Sequence, residues 1–71
     1  PKKVRLFLES GIEGHWDDSM ADASAFKRIA NGTGSFVTSN GITPLSDGFT
    51  LGTDANLNPN GGTVIHWEAS E

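Results

Sequence analysis

The stretch Ser46-Asp47-Gly48-Phe49-Thr50-Leu51-Gly52-Thr53-Asp54-Ala55-Asn56-Leu57-Asn58-Pro59-Asn60-Gly61-Gly62-Thr63-Val64-Ile65-His66-Trp67-Glu68-Ala69 decides the fold class. Phe49 and Leu51 alternate with Thr50, then Asp, Asn, Pro and Gly accumulate, and a β-rich run resumes from Thr63 to Ala69. That is the pattern of two short strands joined by a long polar turn. It contains no recognisable catalytic constellation, and it reads as a structural β-module.

Working outward, Lys3 to Glu9 alternates cleanly, with Val4, Leu6 and Leu8 on one face and Arg5, Phe7 and Glu9 on the other. Gly11 and Gly14 punctuate a turn, and His15-Trp16 begins a short extended piece that stops at Asp17-Asp18. From Ser19 to Ala30, Met20, Ala23, Phe26, Ile29 and Ala30 recur at roughly helical spacing with no Gly or Pro between them. This predicts a short helix or a loop, capped by Asp17, Asp18 or Ser19 and with Lys27 and Arg28 suited to the dipole at its end. Asn31-Gly32-Thr33-Gly34 is a tight turn, Ser35 to Ser39 a short strand, and Asn40-Gly41 a second turn. Ile42 to Leu45 is extended but holds Pro44, which cannot donate to a ladder and belongs at an edge or bend. The expected fold is mainly β, a small antiparallel β-sandwich or sheet with room for one short helix. Residues 1–71 form one small β-domain without internal repeat or linker.

A chain of 71 residues without cysteine must stabilise a small core with neither disulfides nor a thiolate zinc site. Oligomerisation is the remaining remedy. The net charge of −4 argues against nucleic acid as a partner, because only Lys2, Lys3 and Arg5 cluster, and three charges do not make a tract. No apolar run approaches the ~20 residues that span a bilayer, and Val4 to Leu8 is too short for the apolar region of a secretory signal. Pro1 fits a chain that has lost its initiator methionine, the expectation for a whole gene product.

The alternation Asp54-x-Asn56-x-Asn58-x-Asn60-Gly61 suggests a calcium loop, since hard cations take oxygen ligands at alternate positions. The register fails. Counted from Asp54, Pro59 stands where glycine is needed and Ile65 where the closing acid belongs; counted from Asn56, the closing position is Trp67. A turn held by Asx side chains is the expected outcome. His15, Asp17, Asp18 and His66 lack the spacing of a metal site, and His66 is expected to be partly buried and hydrogen-bonded on the last strand. An acid pair of Asp17 and Asp47, or a Ser-His-Asp set on His66, has less support still. No cofactor, metal or catalytic residue is expected. Trp16 and Trp67 have two uses, as sugar-stacking platforms or as core and subunit-interface anchors, and the scarcity of large apolar residues favours the second.

The Gly-Phe-Thr-Leu-Gly-Thr-Asp-Ala run at 48–55, followed by Asn58-Pro59-Asn60-Gly61-Gly62-Thr63 and a short aromatic strand, resembles the terminal segment of a β-sandwich repeat module recurrent in tailed-bacteriophage structural proteins. The likeness extends through His15-Trp16-Asp17-Asp18-Ser19-Met20, where that family usually has an aromatic-Asp-Ser segment, and through Asn40-Gly41-Ile42-Thr43. The resemblance implies a virion structural protein of tail-fibre or capsid-associated type, assembled in the bacterial host cytoplasm. It also implies an irregular loop or strand, rather than a helix, over Ser19 to Ala30.

The expectation is therefore a non-enzymatic capsid decoration or cement protein that bridges capsomers, with itself as a homo-oligomer, a trimer, and the major capsid protein as partners. The short acidic chain, without the shaft a fibre needs, favours this over the alternative, a tail-fibre or adhesin module that binds a host-surface glycan. Val4, Leu6, Phe7, Leu8 and Trp67 are the expected interface residues, and the strand Lys3 to Glu9 is expected to add to or pack against a neighbouring chain. Under the alternative, Trp16, Asp17, Asn56 and Asn58 would contact the glycan.

Overall fold

Six strands, β1 (Lys3–Leu8), β2 (Glu13–Asp17), β3 (Ser24–Arg28), β4 (Gly34–Leu45), β5 (Gly48–Leu51) and β6 (Ile65–Ser70), form one antiparallel sheet in the order β5-β4-β3-β2-β1-β6. They are drawn from a computed structural model that describes residues 1–59 and 61–71. The chain is mainly β, with no helix among the described residues. The sheet curls until its two end strands approach, and the rings of Phe49 on β5 and Trp67 on β6 meet edge-to-face with centroids 5.4 Å apart. The result is a nearly closed, barrel-like sheet. Its radius of gyration of 11.1 Å is that of a compact single domain, about 11 Å for this length.

The alternation in β1 becomes burial: Val4, Leu6 and Leu8 face inward and are covered, while Lys3, Arg5 and Phe7 face outward. Both edges of β1 are paired, with β2 through Val4↔Trp16 and with β6 through Leu6↔Trp67. The strand expected to reach a neighbouring chain is thus an inner strand of its own sheet, and no backbone edge remains for addition. The unpaired edges belong to β5 and β6.

The segment Ser19 to Ala30, expected as a short helix or loop, is a turn followed by β3. Trp16 donates its indole N–H to the Ala21 carbonyl, Met20 N–H bonds the Asp17 carbonyl, and Ala23 sits at φ 66°, outside any right-handed helix. An isolated helix of this length is marginal in water. As a strand, the segment gains ladders on both sides, Glu13↔Arg28 to His15↔Phe26 with β2 and Ala25↔Val37 to Arg28↔Gly34 with β4.

The segments Ser35–Ser39 and Ile42–Leu45, expected as separate strands, are one continuous strand with a break in its pairing. β3 pairs Ala25 with Val37 but Ser24 with Ile42, so residues 38–41 bulge from the ladder. Asn40 takes φ 61°, a conformation that Asn tolerates better than most residues. At Gly41 a Cβ would stand 2.7 Å from the Ser24 carbonyl carbon and oxygen, so only glycine lets the strand pass that close. Asn40-Gly41 turns the chain as expected, but within a strand. Pro44 sits opposite Phe49, in a strand flanked on that side only by the short end strand β5.

The long turn after β5 folds back over the barrel. Leu57 is wholly buried and packs with Val4, Leu6, Leu8, Trp16, Ala25 and Ile42. The space it fills exists because β2 has Gly14 beneath it; a Cβ there would lie 2.7 Å from Leu57 Cδ2. Burying one leucine is worth about 1.5–3 kcal/mol, a large share for so small a core.

Candidate functional site

Three regions concentrate chemistry: the polar turn after β5, the outer face of the sheet, and the cleft where β5 and β6 approach.

In the polar turn, Asp54 Oδ1 accepts the backbone N–H groups of Asn56 and Leu57, the expected Asx geometry. The oxygens that suggested a cation site hold one, and it is a side chain. Lys27 Nζ lies 3.0 and 2.9 Å from the two Asp54 carboxylate oxygens and 2.6 Å from Asn56 Oδ1. Lys27 projects inward because β3 aligns it with Gly14 of β2 and so, across β2, with Leu6 on the covered face of the sheet. Both partners of the ion pair are nearly covered. Burial alone would raise the Asp54 pKa, but the Lys27 ammonium and the N–H groups of Leu57 and Asn56 outweigh it and hold the carboxyl below its ordinary value. Asn58 spends its side-chain N–H₂ on the Gly52 carbonyl, and Asn60 lies outside the described residues.

The outer face carries a transverse row. Glu68, Arg5, His15, Phe26 and Phe36 stand side by side on β6, β1, β2, β3 and β4 through the registers Arg5↔Glu68, Arg5↔His15, His15↔Phe26 and Phe26↔Phe36. Arg5 donates to Glu68 over 3.1 Å, and the Phe26 and Phe36 rings meet edge-to-face at 5.1 Å. The adjacent row holds His66, Phe7, Glu13, Arg28 and Gly34. Arg5 lies over Phe7 and Arg28 over Phe26, at 5.5 and 5.8 Å from the ring centroids. Phe36 is 71% exposed and Phe7 39%. His15 bonds Glu13 and holds that carboxyl below its usual range, while His66 bonds Glu9 across 2.7 Å. His66 is exposed rather than partly buried, because it lies on the solvent side of an end strand. No three His, Cys, Asp or Glu side chains among the described residues are grouped to hold a metal ion.

The third region is a cleft of about 640 Å³ at the seam, lined by Phe49, Trp67 and Ala69 together with Ser46, Asp47 and the Pro1 ammonium, which pairs with the Glu71 carboxylate across 3.2 Å. Trp67 faces inward, opposite Leu6, yet is 62% exposed because the barrel does not close beside it.

Several expected site residues change role. Val4, Leu6 and Leu8 are core side chains of this subunit and are unavailable to a partner, since inward alternation on an inner strand buries them; Phe7 and Trp67 remain accessible. The four expected glycan contacts do not converge on an open surface. Trp16 is buried in the core, Asp17 binds the Ser19 backbone N–H and hydroxyl, which lowers its pKa, Asn56 is engaged with Lys27, and Asn58 with Gly52. Phe26 and Phe36 escaped notice as a pair, although both lie equidistant from Asn31; folding the sequence about its Asn-Gly turn would have brought them together. Comparison with family models, curated proteins and solved structures finds no match to this chain.

Proposed function

We propose that this chain is a virion structural protein without catalytic activity, a capsid decoration or cement protein that seats its outer face on the shell and bridges capsomers. One observation carries the reading: Phe36 and Phe7, with Arg5 and Arg28 beside them and Phe26 half-buried between, lie uncovered on one face of the sheet. Those residue types are enriched at protein interfaces, and carboxylates interleave them in the manner of a partly polar, non-obligate contact. The phage-module resemblance supplies the virion setting, with the major capsid protein and further copies of this chain as partners.

Cryo-electron microscopy of the particle carrying this protein tests the proposal. Density for the barrel on the capsid exterior, with Phe36 at the contact, is the expected result. Density confined to the tail would overturn the decoration assignment, and absence from the particle would overturn the virion one.

A further inference from the structure

We propose that the seam cleft between β5 and β6 is a carbohydrate-binding site that takes one or two pyranose rings on Trp67. Trp67 is the accessible tryptophan of the pair, 62% exposed against 4% for Trp16. Phe49 packs against it edge-to-face, so the indole is braced in orientation although one side is open. A large aromatic left open on a concave wall is a costly surface to hydrate, and it suits a ligand with one apolar face. A pyranose has such a face: its axial C–H groups carry partial positive charge and meet the negative face of the indole.

The rim supplies the complementary chemistry. Ser46 and Asp47 line the same cleft, and a carboxylate with a neighbouring hydroxyl accepts from and donates to a ring of sugar hydroxyls. The volume of about 640 Å³ fits a mono- or disaccharide with bridging water, within the usual range for small-ligand sites. The tight turn between β4 and β5 places Asp47 immediately before the strand that carries Phe49, so acid and aromatic wall are positioned by one hairpin. This inference stands apart from the assembly proposal, because the cleft opens from the inner side of the sheet while the phenylalanine row lies on the outer side.

The test is an NMR titration of the ¹⁵N-labelled chain with lactose, methyl α-D-mannopyranoside and triacetylchitotriose, read at the Trp67 indole N–H and the amides of 46–49 and 69–70. At least one sugar should shift these signals saturably while the indole signal of buried Trp16 stays still. Asp47→Ala should weaken that binding about tenfold with the amide spectrum otherwise unchanged, since Asp47 lies in an exposed turn and its removal deletes a charged acceptor. Trp67→Leu should abolish it; should that variant unfold, the Asp47 result decides. No saturable shift from any of the three sugars up to tens of millimolar would overturn the proposal. So would cleft signals that move with protein concentration rather than sugar, which would assign the cleft to a second copy.

Discussion

Lys27 does the work that a metal ion would do in a loop of alternating Asp and Asn. Its ammonium ties β3 to the turn that carries Leu57, and the Asp54 carboxylate serves two masters, the cation and the backbone N–H groups. Replacing Lys27 by Met would strand a nearly covered carboxylate, and we expect a loss of about 3 kcal/mol or more in urea unfolding, partly recovered in Lys27→Met/Asp54→Asn. The acid limb of stability follows from the same group. The folded-state pKa of Asp54 is depressed, so its contribution is fully present above the ordinary aspartate value of about 3.9 and is lost as pH falls through the lower folded value. Urea midpoints measured from pH 5 downward should fall for the parent, and less steeply for Asp54→Asn. The oxygen ligands were legible in sequence as an alternation; their cation was not, because Lys27 lies far away along the chain and reaches them only when β3 pairs with β2.

At the scale of the element, the turn after β5 behaves as a plug seated on a glycine. Leu57→Ala should cost about 2–5 kcal/mol, the range for emptying a buried leucine site. Gly14→Ala should cost about 1–3 kcal/mol by overpacking, since its methyl would stand inside contact distance of Leu57. The double substitution should cost less than the sum, because the new methyl occupies part of the vacated space, and denaturant midpoints of the four proteins would measure that coupling. β1 could be read correctly, residue by residue, from its alternation. For the segment holding β3 the helical stripe of Met20, Ala23, Phe26 and Ile29 suggests a short helix or loop; the competing ladders with β2 and β4 are invisible to any local period.

At the scale of the whole molecule, burial is settled inside one subunit, and Phe36 and Phe7 stay uncovered on the outer face. Phe36→Ser should leave stability within about 0.5 kcal/mol of the parent, as expected of an exposed position. If the outer face is the assembly surface, the same substitution should shift a trimer toward monomer in sedimentation at micromolar concentration. A parent chain that is monomeric there, or a variant that assembles as well as the parent, would remove Phe36 from the interface. The free edges of β5 and β6 are the remaining route to pairing between chains, in place of β1.

The sequence by itself determined that the chain is β-rich, that Asn31-Gly32 makes a tight turn, that the Asp54 loop is an Asx-supported turn, and which side chains of β1 share a face. All of these depend on the two-residue period of a strand or on the backbone preferences of Asn and Gly, which act between near neighbours. Tertiary structure alone decided that Trp16 is buried and Trp67 open, and that Lys27 occupies the Asp54 loop. The two tryptophans sit in similar local settings, each on a short strand beside a histidine and an acid. Trp16 lies on β2, covered by neighbours on both sides, whereas Trp67 lies on an end strand at the seam. Position across the sheet, set by pairings between distant segments, separates them.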